Sequence, residues 1–157
     1  MKVGVRCASV VRRWHRGRME IEALSEAAVN AAVELWGRVG LTRPWNDPVA
    51  DLRRALAGPA STVLAGWAEG ALVATAMVGH DGHRGWVYYL AVSPEQQGRG
   101  HGQTMMAACE TWLRERQVPK LNIMVRGDNT TARSFYERLD YVTDDVVVLS
   151  RRLNAVE

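Results

Sequence analysis

The stretch EQQGRGHG, residues 95–102, constrains this chain more than any other. Glycines at 98, 100 and 102 alternate with Arg99 and His101, directly between WVYYLAVSP and QTMMAACETWLRER. The first flank reads as a strand and the second as a helix. A strand that enters a helix through such a turn leaves backbone N–H groups pointing outward at the positive end of the helix dipole, where a phosphate can approach closely. Two better-known anion cradles fit poorly. The Walker pattern needs Lys-Ser/Thr after its last glycine, whereas Gly102 is followed by Gln103 and Thr104, and the dinucleotide pattern needs a glycine at position 103. A tight turn alone would account for one or two glycines. Three of them opening a helix, with Arg99 and His101 alongside, point to anion binding.

The rest of the chain alternates between the two hydrophobic periods. EIEAL is a short first strand, and Ser25 is placed to cap a helix through about Val39, with Val29, Val33 and Trp36 on one face. LTRPWNDP is a loop, and Asp47 with Pro48 supplies the N-cap and first-turn proline of a second helix that stops at Gly58. STVLAGWA, Glu69-Gly70 and ALVATAMVG form a hairpin, and HDGHRG turns the chain into WVYYLAV. After a long helix from about Gly100 to Gln117, KLNIMV is predicted as a strand. A helix capped by Asn129 follows, and YVTDDVVVLSRRL closes the chain as a strand or hairpin. Repeats and low-complexity segments are absent from the sequence.

A chain of 157 residues, 47% hydrophobic, suits one domain with its own core. No apolar run approaches the roughly 18 residues of a membrane span. The two cysteines, Cys7 and Cys109, suggest neither a disulfide framework nor a zinc site, so a cytoplasmic setting is expected and no metal is implied. The net charge of +3 is unevenly placed. All 17 acidic residues but only 14 of the 20 basic ones lie from Met19 onward, which leaves the body near −3 and a basic, acid-free segment over residues 1–18. That segment reads as a disordered leader or non-native start, with the domain spanning 19–157. A nucleic-acid arm and a targeting leader are the alternatives, nucleic acid being the weaker one.

LAVSPEQQGRGHGQTMM resembles the acetyl-CoA-binding motif of the GNAT N-acetyltransferases, with Gln97, Gly98, Arg99, Gly100, His101 and Gly102 at its key positions. DNTTARSFYERLDY resembles the family's second signature at its usual distance downstream, and RPWNDP, HDGHRG and YERL.Y resemble a small bacterial subgroup labelled YpeA-like. The likeness covers Met19 to Leu153. It implies the GNAT fold: an α/β domain with a mixed, mostly antiparallel sheet, splayed central strands and flanking helices. It also implies acetyl-CoA as cofactor, with the pyrophosphate on the N–H groups of residues 98–103, Gln103 included. The pantetheine arm would lie along a bulged Leu90-Ala91-Val92, and Asn129 would contact it. The Val92 N–H would stabilise the oxyanion, and Tyr136 would be the general acid near the thioester sulfur, unless it is a packing tyrosine.

Acetyl transfer to an amine also needs a proton acceptor. Carboxylates are missing from the positions expected to face the site, Trp86, Tyr88, Asn122 and Met124. A water chain through Tyr88, an amine already partly neutral, or Asp47 are the alternatives, Asp47 having a competing use as a helix cap. Arg43, Trp45 and Asn46, with Tyr88 and Met124 opposite, are the expected acceptor wall, and an arginine beside a tryptophan suits a small acidic or aromatic amine. Trp45 as a plug of the loop is the competing reading. The turn residues His80, Asp81, His83 and Arg84 could reach the site or merely form the turn. Asp140 stands where the family usually has glycine, at a left-handed helix C-cap. The chain is thus expected to be an acetyl-CoA-dependent N-acetyltransferase acting on a small-molecule or peptide amine, without a membrane partner. A homodimer through VTDDVVVLSRRL is also expected. A non-catalytic acyl-CoA-binding or sensing protein is the alternative.

Overall fold

The computed structural model describes residues 14–16 and 19–153. Among these, six strands form one sheet in the order β1-β2-β3-β4-β5-β6. They are β1 (Trp14–Arg16), β2 (Met19–Ala23), β3 (Ser61–Ala68), β4 (Ala71–His80), β5 (Gly85–Val92) and β6 (Leu121–Asn122). The first four neighbouring pairs are antiparallel and β5 with β6 is parallel, the mixed and mostly antiparallel sheet that the sequence implies. The strand β1 pairs with β2 inside the segment set apart as a leader, so at these three residues the sheet extends past the expected boundary at Met19. Residues 1–13 of that segment, Cys7 included, lie outside the described residues.

Helices cover both faces of this sheet. On one face lie α1 (Val29–Arg38) and α2 (Pro48–Ala57), whose Val29, Ala32, Leu35, Trp36, Leu52 and Ala55 are buried with Val63, Ala65 and Ala91 of the sheet. On the other lies α3 (His101–Arg114), which buries Met105, Met106, Ala108, Cys109 and Leu113. Period-two alternation in β3 separates the layers: Val63 and Ala65 belong to the first core, while at Gly66 a Cβ would come within 3.2 Å of Met105 Sδ. Asp47 caps α2 as expected, accepting from the Ala50 N–H at 3.0 Å with Pro48 in the first turn. Ser25 instead precedes a 3-10 turn (Glu26–Ala28) ahead of α1 and makes no side-chain cap bond.

Residues Val125 onward form a second compact unit. It contains α4 (Thr130–Glu137), capped by Asn129 through the Ala132 N–H at 3.0 Å. Asp140 follows in the left-handed conformation at φ 64°, the role expected of a glycine substitute. Two expectations fail. KLNIMV is a strand only at Leu121 and Asn122, and YVTDDVVVLSRRL forms no strand or hairpin. Its alternation records a strand propensity, but within the single chain Val142, Val146, Val147, Val148, Leu149 and Leu153 are exposed, so the pattern has no partner to pair with.

Candidate functional site

The strand β5 is built to present its main chain. Ala74 faces Val92 and Thr75 faces Ala91, but Met77 faces Tyr88, so Tyr89 and Leu90 together oppose Ala76. This is a bulge, and Tyr89 adopts φ 50° to make it. The bulge, Tyr89 and Leu90, overlaps the expected Leu90-Ala91-Val92 at its first residue. It also changes which way side chains face. Strict alternation would send Tyr88 and Tyr89 to opposite faces; the extra residue lets Tyr89 join the α1–α2 core while Tyr88 lines a cleft on that side.

On its other edge β5 pairs with β6 only at Gly85↔Leu121 and Trp86↔Asn122, and Gly85 N–H also donates to the Lys120 carbonyl at 2.8 Å. The ladder then ends, so the two strands part over the rest of β5. Ser93 N–H donates toward β4, to the Val73 carbonyl at 2.8 Å. Because main-chain groups alternate along a strand, Val92 directs its N–H and C=O to the opposite, opened edge. Gln97 Nε2 donates to that carbonyl at 3.1 Å, which fixes the start of the glycine turn to the end of the strand.

The turn itself uses glycine where side chains are strained. Gly98 has φ 75° and Gly100, the N-cap of α3, has φ 81°, and a Cβ at either would meet only open space. The space above them is where a ligand would lie. The first turn of α3 contains no acid, and Thr104 N–H is the first to bond back, to the Gly100 carbonyl at 3.0 Å. The N–H groups of His101, Gly102 and Gln103 therefore remain at the positive end of the helix. Arg99 and His101 line a smaller hollow of about 320 Å³ with Glu69 and Gln96, His101 Nε2 lying 3.3 Å from Gln96 Oε1.

Beside Tyr88 a cleft of about 700 Å³ opens between α2 and the β4–β5 hairpin. Of the expected acceptor wall it takes Asn46 and Tyr88. Trp45 and Met124 are exposed and are not among its lining residues, and Arg43 folds onto its own loop, donating to the carbonyls of Gly40 at 2.7 Å and Thr42 at 2.8 Å. Two carboxylates line it: Asp81, one of the turn residues that the sequence offered as able to reach the site, and Asp51, which the sequence did not single out. Asp51 accepts from Tyr89 Oη at 3.0 Å and pairs with Arg54 at 3.0 Å. Burial, then the bond and charge of Asp51, push the Tyr89 phenol up to about 12. Asp81 accepts from the N–H groups of Arg84 at 2.7 Å and His83 at 2.8 Å and from Trp86 Nε1 at 3.3 Å, and these bonds hold its carboxyl down at about 2. Burial, aided by the Asp81 charge, raises the Tyr88 phenol above its ordinary value. Of the turn residues singled out in the sequence, His80 and Asp81 line the cleft.

Within the second unit, Tyr136 packs edge-on against Phe135, centroids 5.0 Å apart, and against Tyr141 at 5.8 Å. Its own N-cap, Asn129, lies seven positions earlier on the same helix start.

The pattern of the acetyltransferase (GNAT) family matches residues 21–141. An acetyltransferase of Yersinia enterocolitica is 42% identical over 135 residues, which span 86% of this chain and 96% of that one. An acetyltransferase of Sodalis glossinidius is 41% identical over 136 residues, again 86% of this chain and 96% of the relative. The fold is also that of an aminoglycoside N-acetyltransferase solved in complex with CoA, with TM-score 0.75, 17% identity and coverage of 88% of this chain and 98% of that one. A ribosomal-protein-alanine N-acetyltransferase from Brucella melitensis gives TM-score 0.70 at 19% identity, covering 87% of this chain and all of the other. With a family pattern spanning most of the sequence and relatives above 40% identity over nearly their whole length, the chain belongs to the GNAT family of acetyltransferases.

Proposed function

We propose that this protein transfers the acetyl group of acetyl-CoA to a primary amine by direct attack of the amine on the thioester. The observation that carries the reading is the opened edge of β5, whose Val92 N–H faces outward one short turn before the glycine-rich start of α3. A pantetheine arm added along that edge would put its pyrophosphate at the N–H groups of residues 98–103 and its thioester carbonyl near Val92. The neutral amine forms a C–N bond to the carbonyl carbon, and the oxyanion that develops is held by the Val92 N–H. Collapse breaks the C–S bond; Tyr136 protonates the departing thiolate, and the amide and CoA thiol are the products.

The proton that the amine nitrogen gives up once the C–N bond has formed leaves through the cleft. Asp47 is occupied in capping α2, and the raised Tyr88 phenol stays protonated near neutrality, so Tyr88 relays through water rather than accepting the proton outright. A covalent acetyl-cysteine route has no support in Cys109, which is fully buried and whose thiol burial pushes up. The exposed Val146–Leu149 row supports pairing with a second copy of the chain as a homodimer. The test is thiol release from acetyl-CoA across a panel of primary amines, with the acetylated product identified by mass. Amine-dependent release supports transfer; saturable acetyl-CoA binding without release for any amine favours the sensing alternative.

A further inference from the structure

We infer that the acceptor carries a second amino group, kept as an ammonium, which binds at Asp81 against the Trp86 and Tyr88 rings. The inference rests on the acetyl-transfer reading and concerns the cleft beside Tyr88. The volume of about 700 Å³ suits a small molecule.

The charges lining that cleft decide the class. Arg43, whose neighbourhood with Trp45 suggested an acidic acceptor, is turned onto the carbonyls of Gly40 and Thr42. Arg54 does line the cleft but is paired with Asp51, whose other oxygen takes the Tyr89 hydroxyl, so that carboxylate is matched on both sides. His80 accepts the Gly82 N–H on Nδ1 at 3.2 Å. Asp81 differs. Two backbone N–H groups hold one oxygen, Oδ1, while Oδ2 has only the longer bond from Trp86 Nε1, and none of the ion pairs among the described residues involves it. An anionic acceptor would face an uncompensated carboxylate there. A cationic one completes it.

The rings beside Asp81 favour the same class. Trp86 and Tyr88 are two apart on β5 and both line the cleft, and Trp86 stands opposite Gly79, which has no side chain to cover the indole across the strands. Tyr88 is 41% exposed, and the charge of Asp81 is felt at its phenol. Trp86 turns its indole N–H edge to Asp81 and Tyr88 lines the same cleft, so an ammonium paired with the carboxylate lies beside both rings, whose quadrupoles add to the ion pair. Because the reacting nitrogen must be neutral to attack, the bound cation is a different nitrogen of the same molecule: a diamine, polyamine or amino sugar.

The test is calorimetric titration of the full chain, without acetyl donor, with cadaverine, its neutral analogue 1,5-pentanediol and its anionic analogue glutarate, repeated on Asp81→Asn and Asp81→Glu. Cadaverine should bind roughly tenfold more tightly than 1,5-pentanediol, glutarate should bind worst, Asp81→Asn should erase the difference and Asp81→Glu should restore part of it. Equal affinities in the wild type, no saturable cadaverine binding, or a preference that survives Asp81→Asn would overturn the inference. Acetyl-CoA is titrated separately. Failure of acetyl-CoA to bind while the dication preference persists would remove the transfer reading but not this site, whereas acetyl-CoA binding without the preference would remove this site alone.

Discussion

The rings of Trp36 and Tyr89 lie stacked, with centroids 3.9 Å apart and planes 11° from parallel. Trp36 is fully buried on α1, and its Nε1 donates to Thr75 Oγ1 at 2.8 Å; Thr75 in turn donates to the Tyr89 carbonyl at 3.2 Å. One helix and one strand thus grip the residue whose φ of 50° makes the bulge. A positive φ costs a bulky residue on the order of 1–3 kcal/mol and persists only where surrounding contacts hold it.

Replacing Thr75 by Val keeps the volume but strands the buried Trp36 Nε1. A loss of about 1–3 kcal/mol in unfolding free energy is expected by denaturant titration. The bulge also loses a tether, so turnover should fall more than acetyl-CoA affinity. An unchanged ratio of the two would mean that the tether does not reach the Val92 N–H.

Gly100→Val puts a β-branched side chain at φ 81° and fills the open space over the start of α3. The expected outcome is a folded protein, judged by circular dichroism, with acetyl-CoA affinity reduced at least about a hundredfold, since the cradle works through main-chain approach. Unchanged affinity would rule the cradle out.

Tyr136→Phe removes a proposed proton donor without changing ring packing against Phe135 and Tyr141. Turnover should drop by roughly 10²–10⁴-fold with little change in acetyl-CoA affinity. Equal losses in both would make it a packing residue.

The Tyr89 phenol gives a pH signature. Its folded value of about 12 lies above the ordinary 10, so its contribution is fully present below about pH 10 and is lost as pH rises toward 12. Thermal melts across that interval should decline less steeply for Tyr89→Phe than for the wild type. Parallel curves would place the alkaline loss elsewhere.

Arg43→Ala should lower stability by about 1 kcal/mol, from two lost bonds to the carbonyls of Gly40 and Thr42, and leave the acceptor KM unchanged. A raised KM with unaltered stability would return Arg43 to the acceptor wall.

What the sequence made legible was local. The β3 strand falls on STVLAGWA, the Glu69-Gly70 turn takes positive φ at both residues, and Asp47 and Pro48 begin α2 where their chemistry requires. These depend on neighbours a few residues away. The cleft was less legible, because its lining depends on which segments meet. Asp51 sits on α2 at a position with no distinguishing pattern, and only its bond to Tyr89, 38 residues on, brings it to the site. Asp81 was visible as a turn residue, but whether a turn faces a cleft is decided by packing. KLNIMV has strand composition throughout, yet its pairing with β5 stops after Asn122, a relationship between two strands that neither sequence contains.

The most direct test of the central claim is calorimetric titration of acetyl-CoA into the full chain, with ATP and NAD as controls. The account predicts saturable binding of acetyl-CoA at one site per chain and none of either control. No acetyl-CoA binding in a folded sample, or equal binding of ATP, would contradict it.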